Sequence, residues 1–398
     1  MMRIVFDSSS NGHAAGTAAL GWSHTVGIGS GRMLVVGIAI VDGDPLNMNL
    51  TSVKCGSSEM RYISDSAITA GQEGMFLRTL LYFLPGPASG PSPLLITTAG
   101  PCARISCVAT SLANVYQGVP EAVAANRTAE DASDVTAYIG TAMENAWLVD
   151  VASTSATTVS NIKEIAQPGR NAISWAANAA GPIAISCAAF VPLTDKAPVS
   201  IAYDFASPQQ AFGVTRLERT LLQMSMRPVM VNVKDAAGTE NLLVRVGADP
   251  AIPSEGFEIS VNAGTYLLQA SDEAGAMYGL LEMSEKIQMR GLEHVGPVKG
   301  EARLPFRAIK HNTPWSSYRN DFAQDQHYHT MQDLTYWESF LNMMAENRYN
   351  TLTLWTQHPF PYMIRPTNFP DATPLRTMCW PGGGSCTGAS SAWPGSVG

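Results

Sequence analysis

The sequence has 398 residues, of which 45% are hydrophobic and 15% are charged, and its formal net charge is −8. This length predicts two or three domains, because a domain usually takes ~100 to 200 residues. The negative charge and the lack of basic runs argue against a nucleic-acid-binding protein, since such proteins depend on clustered positive charge. No apolar run approaches the ~20 residues that a membrane-spanning helix needs, so we predict no membrane span.

The start of the chain and its cysteines bear on the cellular compartment. The opening MMRIVFDSSSNG lacks the apolar core of a signal peptide, so we expect either a cytoplasmic protein or a sequence whose start is missing. The six cysteines are too sparse for a disulfide scaffold and form no CxxC pair. We expect the first four to be buried as small hydrophobic residues.

Residues 1–200 carry fewer charged side chains than the rest of the chain and contain many short apolar runs between Gly, Ser, Pro and Asp clusters. These runs predict about ten strands, arranged as an antiparallel β-sandwich of two sheets. The predicted strands lie at 3–6, 20–26, 33–40, 50–55, 76–84, 94–98, 103–112, 147–152, 171–176 and 183–189. We predict a long excursion after Val119, in EAVAANRTAEDASD.

This region contains GWSHTVGIGSGRMLVVGIAI followed by LTSVKCGSSEMRYI. It resembles a β-sandwich module that is repeated among bacterial surface and secreted proteins. The three tryptophans Trp22, Trp147 and Trp175 have two interpretations. They form a platform on which sugars stack, or they belong to the core, which is where large aromatic side chains usually lie.

Two further regions follow. Residues 201–225 contain Pro208 and a mixed polar run, so we predict a linker with a turn or two of helix at its end. Residues 226–300 contain the short strands PVMVNV, NLLVRVG, GFEISVN and TYLLQAS, followed by the helical SDEAGAMYGLLEMSEKIQM. Strands followed by one long helix predict a small α+β domain.

The stretch EGFEISVNAGTYLLQASDEAGAMYGLLEM resembles the α+β domain that precedes the barrel in glycoside hydrolases of family 20 (β-hexosaminidases) and family 67 (α-glucuronidases). The matching pattern is an E-G-[FY] opening, a strand, and a helix with G-x-x-Y-G-L. Its positions here are Glu255, Gly256, Phe257, Gln269, Ala270, Gly275, Tyr278, Gly279 and Leu280. The resemblance implies a domain that supports the barrel, so we assign no catalytic residue within it.

Residues 301–371 predict a strand, a helix and a second strand, which together form the first βαβ unit of a parallel sheet. The strands lie at 306–310 and 351–355, and the second lacks polar alternation, as in a strand that is covered on both faces. Asp333 is the expected N-cap of the helix. An apolar stripe is predicted along the helix at Leu334, Trp337, Leu341 and Met344.

The segment RLPFRAIKHNTPW resembles the opening strand of the (β/α)8 barrel in the same two families. Residues at the carboxyl ends of barrel strands face the active site. We therefore predict a substrate-binding site for an oligo- or polysaccharide, with Arg307 implied as a sugar ligand by the resemblance to family 20. The predicted site residues are Arg307, His311, Asn312, Trp315, Trp355 and His358.

Neither a metal nor a cofactor is predicted. His327 and His329 stand two residues apart, and we interpret the neighbouring Asp321, Asp325 and Asp333 as helix-entry and surface charges. Catalytic zinc needs three ligands held in a fixed geometry, so this pair does not predict a metal site.

A complete barrel takes ~250 residues, so this chain holds only the truncated start of a TIM barrel. Glycoside hydrolysis uses two carboxyl groups, or one with substrate assistance, and in the related barrels these come from later strands. We therefore assign no catalytic residue and expect the chain alone to be inactive. Residues 372–398 show no periodicity and are predicted to be an irregular tail, which is either an out-of-frame or truncated end or a genuine disordered tail.

Two functions remain open at this point. The first is a fragment of a glycoside hydrolase, preceded by an accessory sandwich. The alternative is a surface carbohydrate-binding or adhesion protein with the β-sandwich as its working domain. We expect the full-length protein to be secreted or on the cell surface, with a cytoplasmic location as the alternative.

Overall fold

The computed structural model describes residues 2–72, 74–128, 132–247, 251–312 and 333–355. The chain divides into two compact units. The first unit contains the described residues up to Arg307 together with 333–350, and the second contains the described residues 308–312 and 351–355. The region predicted as one domain at 301–371 is therefore split between the two units.

The first part of the chain forms ten strands that build two antiparallel sheets. They are β1 (Val5–Ala14), β2 (Thr17–Val26), β3 (Met33–Asp42), β4 (Leu50–Cys55), β5 (Ser58–Glu59), β6 (Arg61–Tyr62), β7 (Ile68–Gln72), β8 (Met75–Pro85), β9 (Gly90–Cys102) and β10 (Arg104–Ala113). The first sheet has the order β1-β10-β3-β8-β6, and β7 also pairs with β8. The second sheet has the order β2-β9-β4-β5.

Six more strands build two further antiparallel sheets. They are β11 (Ala122–Arg127), β12 (Asp134–Thr141), β13 (Ala146–Thr154), β14 (Thr158–Ile165), β15 (Gly169–Ala176) and β16 (Ile183–Phe190). The third sheet has the order β11-β16-β13-β14, and the fourth consists of β12 and β15.

The sheets stack in four layers rather than two, which corrects the predicted two-sheet sandwich. One core lies between the second and first sheets, a second between the first and third, and a third between the third and fourth. The strands β3 and β16 are consequently buried on both faces. Their largely apolar sequences, MLVVGIAIV and IAISCAAF, fit this position because neither face is exposed to solvent.

Most predicted strands agree with the structure, but the excursion expected after Val119 does not. Its first part is β11, which pairs with β16 along six residues. The sequence AVAANR carries no apolar alternation, so the strand follows from backbone pairing with a neighbour rather than from its own pattern. All four cysteines in the described residues are free and buried, as predicted.

The α+β domain begins earlier than predicted, at Pro198, and it includes the segment expected to be a linker. Its elements are β17 (Pro198–Tyr203), α1 (Pro208–Gln223), β18 (Arg227–Asn232), β19 (Leu242–Val246), β20 (Phe257–Asn262), β21 (Thr265–Ala270), α2 (Glu273–Arg290) and β22 (Val298–Gly300). The mixed sheet has the order β18-β17-β19-β21-β20-β22. The linker prediction for 201–225 is wrong because Ile201, Val214 and Leu217 belong to the core of this domain.

Local signals explain both helices of this domain. The side chain of Ser207 accepts from the backbone N–H of Gln210 at the start of α1, and Pro208 occupies the first turn. Asp272 caps α2 in the same way through Gly275. The helices pack closely at Gly213, where an added Cβ would lie 2.8 Å from Cβ of Leu280.

The last described elements are β23 (Ala308–Asn312), α3 (Leu334–Glu346) and β24 (Thr351–Trp355). The two strands pair in parallel, as predicted, from Ala308 opposite Thr351 to Asn312 opposite Trp355. The first strand runs two residues beyond its predicted end, because the ladder with β24 extends to Asn312. Asp333 caps α3, as predicted.

The apolar stripe predicted on α3 is buried only in part. Met344 is 4% exposed, whereas Leu334 and Leu341 are 49% and 47% exposed. The periodicity identified the helix correctly, but it did not identify which of its apolar residues are covered.

Candidate functional site

Arg307, the predicted sugar ligand, lies at the centre of a hydrogen-bond network within the first unit. Its Nη2 donates to Oε2 of Glu255 at 2.6 Å and to the hydroxyl of Tyr278 at 3.4 Å. Its Nε donates to the carbonyl of Arg348 at 2.6 Å, and its Nη1 to the carbonyl of Leu304 at 2.7 Å. Every nitrogen of the guanidinium therefore donates a hydrogen bond to another group of the same chain.

Electrostatics reinforces this position. Burial opposes the positive charge of Arg307, but its hydrogen bonds with Glu255 and Tyr278 outweigh that effect and raise its pKa. The guanidinium carbon also lies 5.7 Å from the ring centroid of Tyr278, within range of a cation–π interaction. Arg307 is therefore a fixed positive charge.

Two partners of Arg307 have unusual backbone conformations. Glu255 and Arg348 both have a φ of +60°, which non-glycine residues adopt rarely. The Glu255 N–H donates to Oδ2 of Asp272 at 2.8 Å, and its Oε1 accepts from Nδ2 of Asn350 at 3.0 Å. These contacts hold Glu255 in the strained conformation that aims its carboxylate at Arg307.

The glycoside-hydrolase-like motif identified in the sequence explains how this network is assembled. Glu255 and Tyr278 are motif positions, and both contact Arg307. Gly275 and Gly279 bring α2 close to the neighbouring chain, because an added Cβ would lie 2.3 Å from the carbonyl oxygen of Gly256 and 2.4 Å from Leu268 respectively. The motif thus supplies two residues that bind Arg307 and two glycines that allow the close packing around them.

A pocket of about 420 Å³ opens beside this network. Its charged lining residues are Glu255, Glu282, Lys299, Glu301, Arg303, Arg307 and Arg348. Nη2 of Arg348 pairs with carboxylates of Glu282 and Glu285 at 3.1 and 3.0 Å. Most of the central charges are therefore already paired within the chain.

The second unit contains the strand ends at which the other predicted residues lie. In the parallel ladder His311 is opposite Leu354, and Asn312 is opposite Trp355. The structure thus brings Asn312 and Trp355 together as backbone neighbours at the carboxyl ends of β23 and β24. Because side chains alternate along a strand, His311 lies on the face opposite to that of Lys310.

The remaining predicted residues, Trp315 and His358, lie outside the described residues, as do His327 and His329. Among the residues that the structure describes, no group of three or more His, Cys, Asp or Glu side chains is arranged to hold a metal ion. Within the same residues, no helix is long and apolar enough to cross a membrane.

Sequence reasoning missed two residues of the Arg307 network, Arg348 and Asn350. The backbone N–H of Arg307 donates to Oδ1 of Asn350 at 3.0 Å, and the backbone N–H of Asn350 donates to the carbonyl of Arg307 at 3.0 Å. Both stand in ENRYN, directly before β24. An Asn immediately before a predicted strand is the signal that would have pointed to this contact.

The three tryptophans of the layered sheets pack against cores, which favours the structural interpretation. Trp22, Trp147 and Trp175 are half-buried, each against a different core. The indole of Trp22 donates to Ser10, and that of Trp175 donates to Asp150.

No family model matches the sequence, and no curated protein matches it. Solved structures that resemble the chain include a family 138 glycoside hydrolase that targets pectin rhamnogalacturonan II, with 19% identity, a TM-score of 0.37, and coverage of 44% of this chain and 26% of the enzyme. A β-N-acetylhexosaminidase from Bacteroides fragilis matches with 14% identity, a TM-score of 0.27, and coverage of 41% and 29%.

A family 20 exo-β-N-acetylglucosaminidase from Vibrio harveyi matches with 10% identity, a TM-score of 0.25, and coverage of 88% of this chain and 46% of the enzyme. The chain therefore spans less than half the length of each of these three enzymes. All three are glycoside hydrolases, but superpositions with such low TM-scores carry no inference about activity. The role of each predicted site residue stays a prediction.

Proposed function

We propose that this chain is the N-terminal portion of a carbohydrate-active enzyme whose whole form hydrolyses glycosidic bonds by carboxylate acid–base catalysis. In this proposal the layered sheets are an accessory region, and the α+β domain supports the start of a (β/α)8 barrel. The described portion contributes one wall of a sugar-binding site and does not itself cut the bond. The whole protein acts outside the cell or on its surface.

The observation that carries the proposal is the parallel pair of β23 and β24. The strand β23 begins directly after Arg307, and β24 begins directly after Asn350. The backbone of Arg307 donates to the side chain of Asn350 and accepts from its backbone N–H. Parallel strands separated in sequence by a helix are the repeating unit of a (β/α)8 barrel, in which substrates bind at the carboxyl ends of strands. Asn312 and Trp355 occupy those ends here. An amide and an indole suit hydrogen bonding to sugar hydroxyls and stacking on a sugar ring.

The internal contacts of Arg307 give it a supporting place in this proposal. Its side chain contacts Glu255, Tyr278 and the carbonyl of Arg348. Arg307 directly precedes β23 in the chain, and Arg348 lies shortly before β24. We assign sugar contact to the strand ends, and we assign to Arg307 the positioning of the chain that leads into them.

A second candidate function is carbohydrate binding by the layered sheets, as in an adhesion protein. The observation that favours it is Tyr138 on β12, which is 56% exposed and has the guanidinium of Arg170 4.2 Å from its ring centroid. An exposed aromatic ring beside a cation is a suitable surface for a sugar.

An array of immobilised oligosaccharides, probed with the full chain and with the Tyr138→Ala variant, separates these candidates. We expect the full chain to bind a defined group of glycans and Tyr138→Ala to bind the same group equally well. Loss of all binding in Tyr138→Ala would assign the function to the layered sheets. The full chain should release no product from aryl glycosides, whereas a longer chain with further barrel strands should release it.

A further inference from the structure

A cleft of about 830 Å³ lies within the first unit, and Arg307 is not among the residues that line it. One side is formed by β6 and by residues 116–120, and the other by the end of β17, by α1 and by the start of β18. Glu338 and Asn342 of α3 also line it. Its volume is within the range of small-molecule sites, ~300–1,000 Å³.

Aromatic side chains form an apolar wall of this cleft. The rings of Tyr203 and Phe205 lie 4.8 Å apart between centroids, with their planes tilted by 47°. Phe205 is 49% exposed, although it is a large apolar residue in a region with a well-packed core. Exposed aromatic faces of this kind suit the apolar face of a sugar ring.

Some of the charges around the cleft are satisfied within the chain. Arg216 and Arg219 both pair with Oδ2 of Asp65, at 2.7 and 2.9 Å. Glu218 is buried, and its Oε1 accepts from the hydroxyl of Tyr116 and from the N–H of Val119. Burial raises the pKa of Glu218, and it raises the pKa of Glu338 to about 7.

Two arginines in the lining are not neutralised in this way. Within the part of the chain that the structure describes, neither Arg61 nor Arg227 forms an ion pair, and Arg61 is exposed. Arg227 makes a long hydrogen bond of 3.5 Å to the carbonyl of Lys196. Arg61 lines the same cleft as Tyr203 and Phe205. The cleft therefore combines two guanidinium groups that form no ion pair within the described residues with the exposed ring of Phe205 and the half-buried ring of Tyr203.

We propose that this cleft is a second binding site, which takes a carboxylate-bearing oligosaccharide. Arg61 and Arg227 bind the carboxylate, since a guanidinium matches the two oxygens of that group. Tyr203 and Phe205 support the sugar ring that carries it. This site shares no residue with the strand ends of β23 and β24, so it stands independently of the function proposed for them.

Isothermal titration of the full chain with oligogalacturonates of two to four units tests this site, with neutral cello-oligosaccharides of the same length as comparison. We expect saturable binding of the acidic ligand only. The Arg61→Gln and Phe205→Ala variants should each weaken it about tenfold or more, because each removes one of the two kinds of contact. Both side chains are exposed, so both variants should retain the thermal unfolding profile of the parent.

The control variant is Arg245→Gln, which removes an exposed arginine of β19 that does not line the cleft. It should bind as the parent does, and so should Trp355→Ala, which changes the other proposed site. The proposal is overturned if the acidic ligand does not bind, if neutral ligands bind equally well, or if Arg245→Gln weakens binding as much as Arg61→Gln. Binding that is lost in Trp355→Ala and kept in Arg61→Gln would likewise overturn it.

Discussion

At the scale of single residues, Asp150 of β13 is an acid in an environment that disfavours its charge. It is 2% exposed, and its Oδ1 accepts from the N–H of Asn161 and from the indole of Trp175. Burial raises its pKa to about 7, despite these two hydrogen bonds. The folded state binds this proton more tightly than the unfolded state does. The contribution of Asp150 to the free energy of unfolding therefore decreases as the pH rises from about 4 through 7.

We therefore predict that Asp150→Asn stabilises the protein at pH 8 by about 1–3 kcal/mol and has little effect at pH 4. The amide oxygen can still accept both hydrogen bonds, so the variant removes only the charge. Urea denaturation at the two pH values measures this. Asp134→Asn, at an exposed position of β12, is the control and should show no such difference. Equal effects of Asp150→Asn at both pH values would contradict the account.

The Arg307–Glu255 pair gives a second prediction at this scale. Both side chains are less than 20% exposed, and each makes further hydrogen bonds. A double-mutant cycle with Arg307→Gln and Glu255→Gln should give a coupling energy of about 1–3 kcal/mol in unfolding experiments. The matched pair Lys299–Glu258 is 79% and 40% exposed. Its coupling should be below about 1 kcal/mol, since solvent screens exposed pairs.

At the scale of elements, hydrophobic periodicity predicted most strands and two helices, because these segments carry their own pattern. It missed the longer strands β11, β12 and β14 and the shorter strands β5, β6, β7, β17 and β22. The sequence AVAANR of β11 has only small apolar side chains, and β14 alternates between exposed and half-buried residues without a large apolar face. The pairing of each strand with a neighbour determines its structure, and that information lies outside its own sequence.

The close packing of α1 on α2 gives a prediction for an element. Gly213→Ala would raise the helix propensity of α1, but the new Cβ would lie 2.8 Å from Cβ of Leu280 and 3.2 Å from the carbonyl oxygen of Met277. We expect the clash to dominate, with a loss of about 1–3 kcal/mol in the free energy of unfolding. Gly140→Ala, at a site with no atom within 4 Å, is the control. A gain in stability for Gly213→Ala would show that the helices can move apart freely.

At the scale of the whole molecule, the sequence predicted a β-rich first half, an α+β domain and a parallel strand pair, and the structure contains all three. It did not predict four layers. The apolar sequences of β3 and β16 show that both faces of these strands are covered, but they do not show how many sheets the stack contains. It also did not predict that 201–225 belongs to the α+β core. The resemblance of its segment to a barrel strand identified Arg307, but its partners Arg348 and Asn350 are distant in sequence and emerge only from the fold.

The carboxyl ends of β23 and β24 are the proposed wall of a sugar-binding site. This is tested by titration, monitored by NMR or calorimetry, of an Arg61→Gln background in which the proposed cleft site is disabled, with the glycan that this background binds best. The titration is repeated with Asn312→Ala, Trp355→Ala and the double variant in the same background. The account predicts that each single variant weakens binding about tenfold and that the losses are coupled in the double variant, since the two residues are neighbours in the ladder. Unchanged affinity in Trp355→Ala and in the double variant would contradict it.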